Sequence, residues 1–176
     1  AGCTIRMHFS RLLWTQENQL SAELIKVLTS NQRADSMHMT NSSFIISQKE
    51  YDTVQFNQIK GKSMVAYFEK NELHLVTVNG NSETIYFVRQ EDGGLIGINK
   101  AVASSMEIWI TDRQVEDIYY FDSPDAQLYP RDELPSDQYF LRDFRWRSSD
   151  RPASRYDIFI IPLRQLSALV ENNPAF

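Results

Sequence analysis

Cysteine is nearly missing from this chain of 176 residues: there is one, Cys3. A lone thiol closes no internal disulfide, and no CxxC or Cys/His spacing marks a zinc site. Basic excess is missing too, with 18 Lys and Arg against 23 Asp and Glu and a formal net charge of −5. That balance excludes the usual electrostatic footprint of a nucleic-acid binder. No apolar run approaches the ~18 residues of a bilayer-spanning helix, and one of the longer runs, Ile158 to Leu163, is interrupted by Pro162. No signal peptide is visible. The chain opens at Ala1 without an initiator Met, which reads as a processed chain or a fragment. A missing export signal therefore does not argue for the cytoplasm. Ala1-Gly2-Cys3 lacks the apolar segment that would precede a lipoprotein cysteine.

Catalytic constellations are equally scarce. His8, His38 and His74 share no metal-ligand spacing, and structural or exposed roles suit all three. The acidic pairs Glu91-Asp92 and Asp132-Glu133 fall in loop-like segments, where solvated turn residues are the default. No serine sits in a nucleophile elbow. Gly93-Gly94 lacks the strand-to-helix context of a phosphate loop. The sequence assigns no catalytic residue, metal ligand or cofactor.

What the chain does have is alternation. Ile5, Met7 and Phe9 flank Arg6 and His8; Met64, Ala66 and Phe68 run into Glu69-Lys70-Asn71; Val76 and Val78 run into Asn79-Gly80-Asn81. Met106, Ile108 and Ile110 alternate with Glu107, Trp109 and Thr111, and Val115 to Phe121 closes the series. Period two in β-branched and aromatic residues predicts strands. Helical spacing is weak. Gln19 to Leu28 passes for a short helix on composition alone, and Leu163, Leu166, Leu169 and Val170 are spaced for a short terminal helix.

The alternation repeats. Aligned on Asn31, Lys70 and Asp112, which lie 39 and 42 residues apart, the chain superposes on itself. Six residues before each stand Ile25, Met64 and Met106, and four before stand Val27, Ala66 and Ile108. Six after stand Met37, Val76 and Ile118, and eight after stand Met39, Val78 and Tyr120. Ten after come Asn41, Gly80 and Asp122, residues that tolerate turns, and nine before come the small Ala22, Gly61 and Ala103. Each repeat therefore reads as strand, tight turn, strand, corner. One hairpin alone is marginal in water, so the repeats must stack and turn one apolar face inward. The opposite face carries Lys26, His38, Thr40, Thr77 and Glu107. On periodicity alone a closed sandwich core is the plainer reading, and an open groove is the alternative.

The ordered series Phe56-Asn57-Gln58-Ile59-Lys60-Gly61-Lys62, Asn71-Glu72-Leu73, Val78-Asn79-Gly80-Asn81-Ser82-Glu83-Thr84-Ile85-Tyr86 and Gly97-Ile98-Asn99-Lys100-Ala101 resembles the OstA-like, LptA-type family of lipopolysaccharide-transport proteins. Leu128-Tyr129-Pro130, Leu134-Pro135 and Phe144-Arg145-Trp146-Arg147 resemble the Bacteroidetes version. The resemblance runs from about Gln19 to about Pro162. The first repeat departs from it, with Asn41-Ser42-Ser43 in place of the Gly-Asn corner. The resemblance implies an all-β fold of stacked antiparallel strand pairs, a β-jellyroll or β-taco over 1–162 with a tail at 163–176. It implies a periplasmic location beside the outer membrane, a non-enzymatic role, lipopolysaccharide or a related lipid as ligand, and end-to-end stacking on other modules of this type.

Acyl chains need a dry channel lined by aliphatic side chains. By alternation the groove candidates are Ile25, Val27, Met37, Met39, Met64, Ala66, Phe68, Val76, Val78, Met106, Ile108, Ile118 and Tyr120. Methionines pack adaptably, although ordinary core is the plainer reading of each one. Arg145 and Arg147, which would share a face if their segment were a strand, are head-group candidates, because arginine forks match phosphate oxygens. Solvated arginines stacked on Phe144 and Trp146, or paired with Asp143 and Asp150, are the plainer alternative. A rival to lipid transport is a structural interaction module with a closed core. A sugar-processing hydrolase would need two converging carboxylates, and nothing in the spacing predicts them.

Overall fold

The computed structural model describes residues 6–15, 17–30, 33–48, 54–70, 72–90, 92–112, 114–130 and 132–152. Among these residues eight antiparallel strands make one open sheet: β1 (Arg6–Trp14), β2 (Asn18–Ser30), β3 (Arg33–Gln48), β4 (Phe56–Glu69), β5 (Glu72–Arg89), β6 (Leu95–Thr111), β7 (Gln114–Phe121) and β8 (Asp125–Pro130). The first seven follow chain order, and β8 pairs with β6. Two short 3₁₀ turns, Ser136–Gln138 and Ser148–Asp150, are the helical elements among the described residues. The all-β expectation holds.

Gln19 to Leu28, helical on composition, is strand. It lies inside β2, hydrogen-bonded to β1 on one side and β3 on the other. Ladder bonds on both edges override a weak local preference. The spacing for a terminal helix, the division at 162 and the tail lie outside the described residues. The chain divides into two units, the first ending at Arg145 and the second beginning at Trp146.

Most strands are long, and they bend in register. The pairing slips between Ser21 and Leu24 on β2, Thr40 and Ser43 on β3, Lys60 and Ser63 on β4, and Asn79 and Ser82 on β5. Such irregularities bend a strand. The corners foreseen ten residues after each turn are where the backbone turns left-handed: Asn41 has φ 57°, Gly80 78° and Asp122 57°, with Ser42, Asn81 and Ser123 alike. Lys70 and Asp112, two of the aligned turn positions, are also left-handed, at φ 53° and 52°.

The corners split the sheet into two arms. Arm A runs from the corners to the strand ends at Ser30 and Arg33, Glu69 and Glu72, and Thr111 and Gln114, and arm B to those at Trp14 and Asn18, Gln48 and Phe56, and Arg89 and Leu95. β7 and β8 are the arm A and arm B halves of a last crossing, separated at Asp122-Ser123-Pro124. Buried serines brace two corners: Ser43 Oγ donates to the Met39 carbonyl at 3.0 Å, and Ser82 Oγ to the Val78 carbonyl at 3.2 Å. Each reaches back across its corner to a carbonyl four residues earlier.

Candidate functional site

The strand register assembles twelve of the groove candidates into two rows. Nearest the corners run Ile25, Met39, Met64, Val78, Met106 and Tyr120, each directly opposite the next across β2 to β7. One step towards the turns run Val27, Met37, Ala66, Val76, Ile108 and Ile118, paired in the same way. Paired residues share a face, so the inward side of arm A is an unbroken apolar stripe. Phe68, the remaining candidate, lies beyond these rows opposite Leu73.

Arm B faces this stripe. Leu20 belongs to the same buried cluster, and Leu13, Ile45 and Ile59 pack against it. Tyr120 reaches across, its hydroxyl 3.5 Å from both Thr84 Oγ1 and Asn99 Oδ1 on arm B. Further from the corner, the inward side of arm B turns polar. Asn18, Ser47 and Asn57 stand in one line, Tyr86 faces Asn99, and all five are half-buried.

Burial grades along the interior. Met64 is 1% exposed, Val78 0% and Met106 1%, so no solvent-sized space adjoins them. Val27, Phe68, Leu73, Ile110, Val115 and Ile118, nearer the arm A turns, are only half-buried. The interior is packed shut at the corners and loosens towards the rim.

The arginines are placed differently. Residues 144–147 are not strand, so alternation does not put Arg145 and Arg147 on a common face. Arg145, at the end of the first unit, is exposed, and its carbonyl accepts a hydrogen bond from Gln19 Nε2 at 2.7 Å. Arg147, in the second unit, is exposed and pairs with Asp150 at 2.8 Å. Of the histidines, His38 bonds Ser36 Oγ at 3.0 Å, and His74 packs edge-on against Trp109 at 5.2 Å between ring centroids. Among the described residues no group of His, Cys, Asp and Glu is arranged to hold a metal ion.

Alternation missed a second apolar face. On the outward side of arm B, Phe44, Ile46, Phe56, Ile85, Phe87 and Ile98 are buried. The strap at 134–145 crosses it, with Leu134 and Leu141 themselves buried. Phe140 and Phe144 pack on Phe56, and Tyr139 packs edge-on against Phe87. Gln58, fully buried, fastens the strap: Nε2 donates to the Tyr139 carbonyl at 2.7 Å, and Oε1 accepts from the Leu141 amide at 2.8 Å. The run Thr84-Ile85-Tyr86-Phe87-Val88 was the available signal, since a continuous apolar run marks a strand buried on both faces.

The fold and interior define a folded-over, all-β sheet with a continuous apolar seam. Comparison of the chain with protein-family models, with curated proteins and with solved structures finds no match. No helix among the described residues is long and apolar enough to cross a membrane.

Proposed function

We propose that the chain is a non-catalytic lipid-binding and bridging module of the OstA-like type. In this reading it works in the periplasm beside the outer membrane and shields the acyl chains of lipopolysaccharide or a related lipid between its two arms. The observation that carries the reading is the pair of apolar rows running unbroken across β2 to β7. Burial of an acyl chain along them is worth about 0.8 kcal/mol per CH₂. Because the rows are closed near the corners, a lipid enters by parting the arms from the loose rim at Phe68, Leu73, Ile110 and Val115. Met37, Met39, Met64 and Met106 suit a surface that must repack around such a guest. The sheet is open, with β1 at one end and β7 with β8 at the other, and ends of this kind support stacking on further modules by strand addition.

The tight burial of the corner row favours one other reading, a structural β-repeat that docks partners through its edges and carries no lipid. The two differ in whether the arms move. Spin labels on Glu72→Cys and Gln90→Cys, in a Cys3→Ser background, sit near the two ends of the bent β5. Lipopolysaccharide added to the purified chain lengthens the distance between them under the transport reading. An unchanged distance, with lipid bound or unbound, favours the structural module.

A further inference from the structure

A second concave site lies on the outward side of arm B, away from the apolar rows. The strap leaves part of β5, β6 and β8 uncovered, and a cleft of about 380 Å³ opens there. That volume falls at the small end of ligand pockets. Its walls include Glu83, Lys100, Val102 and Asp125 from the sheet and Phe140 and Arg142 from the strap.

The charges in it are unequally engaged. Glu83 is held by Lys60 at 3.7 Å, and Lys60 also meets Asp143 at 3.2 Å and the Arg142 carbonyl at 3.1 Å. Neither Lys100 nor Arg142 takes part in the ion pairs found among the described residues. Asp125, the other carboxylate of the cleft, is exposed, where solvent weakens its hold on a cation. The apolar lining is also unsatisfied: Val102 is 51% exposed and Phe140 37%. Two available cations beside two exposed apolar groups suit a ligand that is anionic at one end and greasy at the other. The arginine fork and the compact ammonium are both good phosphate donors.

We propose that this cleft binds the phosphate monoester of a small amphiphile. Lys100 and Arg142 meet the phosphate, and Val102 and Phe140 meet the apolar part. The site is separate from the interior rows and stands whether or not those rows take lipid.

Calorimetric titration of the full chain with octyl phosphate, inorganic phosphate and octyl glucoside tests this. Octyl phosphate binds at least tenfold more tightly than the other two, and Lys100→Glu with Arg142→Glu weakens it at least tenfold. Undiminished affinity in the double variant overturns the proposal. Equal binding of inorganic phosphate reduces the cleft to a bare anion site, and equal binding of octyl glucoside to a greasy surface; either also overturns it. NMR of the unmodified chain gives a check that needs no variant. Octyl phosphate shifts the amides of Val102, Phe140 and Arg142, whereas shifts confined to Met106 and Ile108 place the ligand in the interior and overturn the cleft assignment.

Discussion

Met39 on β3 stands directly opposite Met64 on β4, and the pair, 2% and 1% exposed, occupies the middle of the row nearest the corners. Truncating either to alanine opens a void in close-packed interior, at a cost of about 2–5 kcal/mol. The two share that void, so the double variant loses less than the sum of the singles. Urea denaturation of the four chains measures this. Full additivity indicates that the side chains do not pack together.

Gln58→Ala strips the strap of its central fastening. It leaves the Leu141 amide and the Tyr139 carbonyl without the side-chain partners they have now. An unsatisfied buried polar group costs about 1–3 kcal/mol. Loss of stability comes with increased binding of a hydrophobic dye, because Phe56 and Phe87 lie beneath the strap. A variant as stable and as dye-silent as the parent contradicts the fastening role.

Gly80 and Gly93 both have left-handed backbone, at φ 78° and 87°, but in different surroundings. A Cβ on Gly80 would lie 2.8 Å from Lys62 Cβ, whereas one on Gly93 meets nothing within 4 Å. Both alanine variants pay about 1 kcal/mol or more for the backbone, and Gly80→Ala adds a steric term at the corner. Gly80→Ala therefore melts lower than Gly93→Ala. The reverse order contradicts the corner geometry.

Ser43 and Ser82 do the same work at equivalent corners, so Ser43→Ala and Ser82→Ala lose similar stability, about 0.5–1.5 kcal/mol for one hydrogen bond each. Denaturation midpoints check it, and a large effect at one site alone argues against structural equivalence of the repeats.

The inward face was legible because alternation and self-similarity report one thing, which residues share a pleat side. Aligning the turns therefore placed Met64, Val78 and Met106 among the residues of one apolar face, and the corners at Asn41, Gly80 and Asp122, from spacing alone. The outward face of arm B was not legible in that way. Gln19 and Gln58 are buried polar residues whose partners, the carbonyls of Arg145 and Tyr139, lie 126 and 81 residues away. No local pattern reports a contact made by an irregular strap. The cleft was hidden for the same reason, since Lys100 and Arg142 line one cleft only because the strap crosses the sheet. Arg145 and Arg147 were grouped by sequence proximity and an assumed strand, and their segment has no pleat to align them.

The central claim is that the inward rows, and not the opposite face of the same strands, take the lipid. A photo-crosslinking residue placed singly at Met106, Ile118, Thr77 or Glu107, followed by exposure to lipopolysaccharide, tests it most directly. The account predicts lipid adducts at Met106 and Ile118 and none at Thr77 and Glu107. Equal labelling of the two pairs, or labelling of Thr77 and Glu107 alone, contradicts it.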